Sequence, residues 1–215
     1  MLPIFNIFEL GVKEGEKNSY VAVGKNNITK SVLNDEGTLG MYLVQEKENP
    51  NMTYMFEVYE DEKSYQEHIK SEQYKEFLRQ SPTILTNHKK KIQVMPEYMG
   101  DKKFVQTRNT RVNYVTVDVK EGFNDAFREI VLDEMKQSIK KEEGVYVIYA
   151  ATAKENPDKW YFFEVYENEK AYQKHRKTAH FKKYIEQTEN MIENKEFINI
   201  EGVKLLNKGN LNYVK

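Results

Sequence analysis

Two twelve-residue stretches, EVYEDEKSYQEH at 57–68 and EVYENEKAYQKH at 164–175, set a Glu, a Tyr and a His at the same spacing. Such a trio has the makings of acid–base chemistry. An imidazole with an unperturbed pKa of about 6.5 exchanges protons near neutral pH, which suits a general base. His68 and His175 each follow a tyrosine, Tyr65 and Tyr172, by three residues, which places ring and imidazole on one helix face. Glu57 and Glu164 stand in runs that read as strands, and a carboxylate inside a sheet is costly unless it is hydrogen-bonded or functional. Packing offers a plainer account. Each His then caps or packs at a helix end, Tyr59 and Tyr166 are core aromatics, and Asn6 and Asn113 satisfy an edge backbone group.

The elements that carry these residues come in duplicate. A shift of 107 residues aligns the two halves without a gap, VKEG at 12–15 on VKEG at 119–122 and KENP at 47–50 on KENP at 154–157. From 47–68 against 154–175, 15 of 22 positions are identical, and the matching residues are too varied for low complexity. A period this long means a duplicated domain rather than a solenoid. The expected domains are 1–97 and 111–215, with a polar link at 98–110 inside PEYMGDKKFVQTRNT.

In the second half, NYVTVDV alternates as a strand, and Phe123, Phe127, Ile130 or Val131, Met135 and Ile139 mark a helix stopped by Gly144. VYVIYAATA and KWYFFEVYE read as two strands, Asn168 as the N-cap of a second helical region through HFKKYIEQTENMI, and EFINIEGVKLL as a closing strand. The order βαββαβ is that of an α+β, ferredoxin-like split βαβ, with both helices on one sheet face. Two tandem domains of this kind, packed sheet to sheet, would form an intrachain pseudo-dimeric α/β barrel. In YMFEVYE, the more apolar set Tyr54, Phe56 and Val58 is expected under the helices. Met55, Glu57 and Tyr59 are expected on the other face, lining a cavity between sheets. Tyr161, Phe163 and Val165 against Phe162, Glu164 and Tyr166 repeat the pattern, whereas Trp160 has only Thr53 opposite it in the alignment.

Composition narrows the function further. With 33 Lys+Arg against 34 Asp+Glu the chain lacks the basic surplus that nucleic-acid binding needs. The absence of cysteine removes thiolate catalysis, disulfides and Cys-ligated metals. His68, His88, His175 and His180 show no spacing that gives three ligands at one place, so no metal is expected. No glycine-rich phosphate loop or dinucleotide fingerprint is present. The N-terminus does not read as a signal peptide and no apolar run approaches membrane-spanning length, so a cytoplasmic protein with no membrane partner is expected.

KKEEGVYVIY followed by FFEVYENEKAYQKHRKTAHFKKY resembles the antibiotic biosynthesis monooxygenase family of dimeric α/β-barrel proteins. The carrying features are Glu142, Glu143 and Gly144 before a strand, Glu164, Tyr166 and Glu167 at a strand end, then Tyr172, His175, Thr178, His180 and Phe181. The first half keeps Glu36, Gly37, Glu57, Tyr59, Glu60, Tyr65 and His68 but has Ser71 and Gln73 for Thr178 and His180. The resemblance implies an inter-sheet pocket, which some members use for cofactor-free oxygenation of quinols or anthrone-like polyketides. Others act on a phosphorylated quorum-sensing sugar derivative or degrade haem, though Tyr59 and Tyr166 replace the tryptophan that haem-degrading relatives use.

What the resemblance implies is a cofactor-independent monooxygenase acting on a quinol, anthrone-like or other enolisable small molecule in a pocket between sheet and helices. His175 (or His68) would be the base, oriented by Glu164 (or Glu57). Tyr166, Tyr59, His180, Tyr172, Tyr65, Asn113 and Asn6 would contact substrate, with no metal, flavin or other cofactor. The second-half site, with His180 rather than Gln73, is expected to be the more competent. The alternatives are a non-catalytic small-molecule-binding or stress-response module and a haem-binding or haem-degrading protein. The chain is expected to act as a monomeric pseudo-dimer or as a homodimer.

Overall fold

The computed structural model describes residues 2–215. The first half runs β1 (Ile4–Val12), α1 (Lys17–Asn34), β2 (Thr38–Glu46), β3 (Met52–Tyr59), α2 (Glu62–His68), α3 (Glu72–Ile84), β4 (Leu85–Ile92) and β5 (Val94–Asp101). The second runs β6 (Arg111–Val119), α4 (Asn124–Lys141), β7 (Val145–Ala153), β8 (Asn156–Tyr166), α5 (Glu169–His175), α6 (Ala179–Thr188), β9 (Ile192–Ile198), β10 (Ile200–Asn207) and β11 (Asn212–Val214). A short 3₁₀ turn, Glu189–Met191, joins α6 to β9. Each half thus contains the expected βαββαβ core, with its second helical region split in two.

One sheet has the order β10-β2-β3-β1-β4 and the other β11-β5-β7-β8-β6-β9, with every pairing antiparallel. Within each, β4-β1-β3-β2 and β9-β6-β8-β7 reproduce the ferredoxin-like order. The added strands are exchanged. β5 follows the first core in the chain but pairs with β7, and β10 follows the second but pairs with β2. Each exchanged strand covers what would otherwise be an open sheet edge. The chain accordingly divides into one compact unit of residues up to 93 with 104–106 and 200–209, and another of 94–103, 107–199 and 210–215.

Two features of the sequence conceal this exchange. EFINIEGVKLL reads as one strand because its apolar residues continue through Asn199. It is two, Ile192–Ile198 in the second sheet and Ile200–Asn207 in the first. Likewise residues 98–101, at the head of the stretch read as a link, are the end of β5.

Local chemistry explains the helices that matter for the site. On α4, Phe127, Val131, Leu132 and Met135 form a buried face, and Lys140 and Lys141 lie in the last turn, where cations favour the helix dipole. Asn168 caps α5 by accepting from the backbone N–H of Ala171 at 2.9 Å. Thr178 caps α6 in the same way from Phe181 at 3.2 Å, and its hydroxyl donates back to the His175 carbonyl at 2.7 Å. A second cap inside the expected single helix is what breaks it, and the break turns His180 towards His175. A Cβ on Gly144 would lie 2.7 Å from Cβ of Ala171, so only glycine lets α5 approach the start of β7 this closely.

The facing expected for β3 and β8 is reversed. Met55 packs in a core cluster with Tyr20, Val23 and Ile28 of α1, and Phe162 and Tyr166 pack with Phe127 and Val131 of α4. Hence Met55, Glu57 and Tyr59, like Phe162, Glu164 and Tyr166, point towards the helices. The opposite set is no more exposed, with Phe56, Val58, Phe163 and Val165 at 0%. Apolar uniformity ranks two faces only when one of them meets water, and here neither does.

Candidate functional site

The second unit gathers four titratable side chains between its sheet and its helices. Glu134, Ser138 and Glu142 follow one another at four-residue spacing on α4 and its C-terminus, and so lie along one stripe. Glu142 Oε1 accepts from His175 Nδ1 at 3.0 Å and from His180 Nε2 at 2.6 Å. Glu134 Oε1 lies 3.7 Å from His175 Nε2 and accepts from Ser138 Oγ at 2.6 Å. His175 is therefore held between two carboxylates, one at each ring nitrogen. Its ring also packs on Tyr166 at 5.3 Å and Phe181 at 4.8 Å between centroids.

Electrostatics separates these groups. Burial pulls the His175 pKa down, but the Glu142 hydrogen bond and the charges of Glu134, Glu164 and Glu142 outweigh it and leave the pKa above its ordinary value. Burial pushes Glu142 up, yet its hydrogen bonds to His175 and His180 prevail and hold it below the usual carboxylate range. Glu134 is pushed up to about 7 by burial, which His175 and Ser138 only partly offset. Two carboxylates eight residues apart thus differ in proton affinity.

Glu164 sits on the sheet side. It accepts from Tyr166 Oη at 2.8 Å and Asn113 Nδ2 at 3.2 Å, and Asn113 in turn accepts from Arg111 Nε at 3.1 Å. Glu134, Glu164, His175 and Tyr172 line a cavity of about 40 Å³, walled by Val115, Val117 and Phe162 and closed outward by Lys195 and Phe197. Such a volume holds about three waters at 10–15 Å³ each. A larger molecule requires Phe197, 54% exposed on β9, and its neighbour Lys195 to swing aside.

The first unit repeats the layout with weaker chemistry. Asn27, Ser31 and Asp35 occupy the α1 stripe, and Gln73 donates to Asp35 Oδ2 at 3.0 Å and Ser31 Oγ at 3.2 Å. His68 Nδ1 stands 3.7 Å from Asp35, and neither ring nitrogen makes a hydrogen bond. Burial therefore prevails over Asp35 and lowers the His68 pKa. Glu57 accepts from Tyr59 Oη at 2.8 Å and is pushed up to about 7 by burial. Asn6 faces Glu57 across β1 and β3, and the Tyr65 ring packs tilted against Tyr59, 5.1 Å between centroids.

The residues singled out from sequence thus fall into two groups, Asn6, Glu57, Tyr59, Tyr65 and His68 in one unit and Asn113, Glu164, Tyr166, Tyr172, His175 and His180 in the other. Within the second group only Glu164, Tyr172 and His175 line the cavity, while Asn113, Tyr166 and His180 stand behind them. The carboxylate that touches His175 is Glu142, not Glu164. Sequence reasoning placed Glu142 in a motif without a role and passed over Glu134. The available signal was the polar i, i+4, i+8 stripe on an otherwise apolar helix face, present in both copies. The histidine spacing also misled on ligand geometry, since ligand atoms of Glu134, His175 and His180 all lie within 4.8 Å of one another. Two histidines and a carboxylate are a donor set able to hold a divalent ion.

A buried histidine between carboxylates, walled by aromatics in an antiparallel α+β sheet-and-helix frame, is a site with acid–base capacity. The model of the antibiotic biosynthesis monooxygenase family matches the chain twice, over residues 3–80 and 110–187, and the protein belongs to that family. Two crystal structures, each of a protein called a "putative monooxygenase", resemble it along its whole length. The one from Lactobacillus acidophilus NCFM is 29% identical with a TM-score of 0.94, covering 99% of this chain and 100% of its own. The one from Fusobacterium nucleatum is 30% identical with a TM-score of 0.93, covering 100% and 98%. An anthrone oxidase-like protein shares the fold at 9% identity and a TM-score of 0.56, covering 95% and 93%. No functionally curated protein matches the sequence. Among the described residues, no helix is long and apolar enough to cross a membrane.

Proposed function

We propose that the pocket of the second unit oxygenates an enolisable aromatic small molecule, such as an anthrone or a quinol, without metal or flavin. The observation that supports this reading is His175 itself, buried and hydrogen-bonded through Nδ1 to Glu142, with Nε2 on the Glu134 side. With Nδ1–H donated to Glu142, Nε2 holds the free lone pair of a general base.

For an anthrone, His175 takes a proton from the reactive methylene and leaves a stabilised carbanion. The carbanion passes one electron to O₂, and recombination of the radical pair forms a C–O bond and a peroxide, protonated by the imidazolium. Loss of water from the hydroperoxide leaves the ketone. One oxygen atom enters the product, the other departs as water, and the two methylene hydrogens leave with it. The apolar walls exclude bulk water from these charged intermediates. Glu142 is the positioning residue that aims the base. Glu164, braced by Tyr166 and Asn113, stands on the opposite wall, where it orients substrate rather than the histidine.

Oxygen uptake with anthrone and 1,4-naphthoquinol, measured on chelator-treated protein, tests the reading. His175→Ala is expected to abolish uptake above the buffer rate, whereas His68→Ala retains most of it. Uptake no faster than buffer, or loss only in His68→Ala, overturns the assignment.

A further inference from the structure

Resting on the proposed oxygenation, we infer that the substrate also carries an anionic group, a carboxylate or a phosphate monoester, and that Lys195 receives it at the mouth of the pocket. The cavity beside His175 continues outward into a groove of about 860 Å³ between α5, α6 and β9. Four side chains border both spaces, Tyr172, Phe181, Phe197 and Lys195, and Lys195 is the one charged group among them. It pairs in register with Val117, itself a cavity wall. Its ammonium lies 5.7 Å from the Tyr184 ring centroid and 5.3 Å from that of Phe197, without a carboxylate within ion-pair distance among the described residues. A half-buried cation that touches aromatic faces, with Glu164 and Glu134 acting on it only from across the cavity, is incompletely compensated for the water it has lost.

The groove beyond continues the positive character. Arg176, Lys177 and Lys182 line it against Glu186 and Glu189, and none of these five makes an ion pair among the described residues. The first copy has a lysine in the matching register, Lys89 opposite Leu10 as Lys195 is opposite Val117, but its helices differ. The duplication places Ile69 at the position of Arg176, and Glu72 at that of Ala179. There Lys75, the counterpart of Lys182, is neutralised by Glu72 at 2.9 Å. The copy whose helices enclose the Glu134–His175–Glu142–His180 cluster is thus also the copy whose helices bring one more cation to the rim and leave another unpaired. A cationic rim leading to a single inner lysine attracts an anion from a distance and then fixes its orientation. With the anion on Lys195, the uncharged ring of the ligand points inward, to the aromatic walls and His175.

Calorimetric binding of three non-oxidisable probes, 1-naphthol, 1-hydroxy-2-naphthoate and 1-naphthyl phosphate, tests the inference without requiring turnover. At low ionic strength at least one of the two anions is expected to bind about tenfold or more tightly than 1-naphthol, as a charge-assisted contact implies. Whichever anion wins identifies the group. In Lys195→Met, which keeps the aliphatic packing on Tyr184 and Phe197, that preference should fall to within about twofold, with 1-naphthol unaffected. Arg176→Ile, a residue the first copy already accommodates, should weaken anion binding less and flatten its salt dependence. Equal binding of all three probes, no binding by any, or a preference that survives Lys195→Met overturns the inference. An anion preference lost in Lys195→Met, in a protein that consumes no oxygen, sustains the anion site and counts against the oxygenation alone.

Discussion

Replacing Glu142 by Gln separates a tuned base from a merely packed histidine. The glutamine keeps the shape and one acceptor oxygen but removes the charge that receives His175 at 3.0 Å and His180 at 2.6 Å. Hydrogen bonds to a charged group contribute about 1.5–3 kcal/mol against about 0.5–1.5 for neutral ones, so two downgraded bonds cost roughly 2 kcal/mol of stability. The pH dependence of that deficit follows from both partners. His175 is raised in the folded state, so its contribution is full below about pH 6.5 and is lost as pH rises through its folded pKa. Glu142 is depressed, so its contribution is present above the unfolded carboxylate pKa and is lost as pH falls through the folded one. The deficit should therefore be largest in mildly acid solution and shrink on either side, as urea unfolding across pH would record.

The same substitution should move the rate profile. One pKa unit corresponds to 1.36 kcal/mol, and losing roughly that much preference for the charged imidazole lowers the His175 pKa by about one unit. The rising limb of kcat/KM for anthrone oxygenation should then shift about one unit towards acid. General-base catalysis contributes roughly 10²–10⁴-fold, and a ring no longer aimed by Glu142 forfeits part of it, so the plateau should drop about tenfold to a hundredfold. His68, which lacks a hydrogen-bonded carboxylate and has a lowered pKa, shows the direction in which the variant should go. A limb that stays in place while the protein loses its 2 kcal/mol would refute the reasoning, because Glu142 would then stabilise the fold without touching the base.

Tyr59→Phe removes the hydroxyl that donates to Glu57 at 2.8 Å, and Glu57 is already pushed up to about 7 by burial. Its folded pKa should climb further, so the loss of stability, about 1–3 kcal/mol, should appear mainly above pH 7, where the wild type ionises. Equal losses by urea unfolding at pH 5.5 and pH 8.5 would contradict this. Stripping metal from the protein with EDTA should leave oxygen uptake intact. A requirement for added iron or manganese would instead make Glu134, His175 and His180 the ligands of a metal centre.

Much of this architecture is readable in the residues, and the exceptions have physical causes. The Asn168 cap and each core element are local signals, and the duplication is a direct match of one half of the sequence on the other. The strand exchange is not local. Nothing between Ile192 and Asn207 marks the point where the chain leaves one sheet for the other, since both strands need the same apolar alternation. The facing of β3 and β8 is not legible, because the more uniformly apolar sets, Tyr54, Phe56 and Val58 and their counterparts, point away from the helices while Glu57 and Glu164 point towards them. Yet Tyr59, Tyr166 and Asn113 supply the hydrogen bonds that make a buried carboxylate tolerable there. His175 was identifiable as a candidate base, but Glu142 stands 33 residues before it, and only the fold brings the two together.

The duplication also turns the protein into its own comparison. Both copies conserve the scaffold of the site, a serine on the helix stripe, an acidic residue after it, and the Glu–Tyr pair on the strand. They differ at the positions that decide charge. Asn27 and Gln73 stand where the second copy has Glu134 and His180, so His68 is buried with a single carboxylate at 3.7 Å whereas His175 has one at 3.7 Å and a second, hydrogen-bonded, at 3.0 Å. A histidine needed only for packing would be served equally well by either arrangement, and the neutral one costs less desolvation. Retaining two carboxylates and two histidines in one buried cluster is the more expensive solution. The proposed base chemistry would account for it, because this is the copy in which neighbouring carboxylates raise the proton affinity of the imidazole.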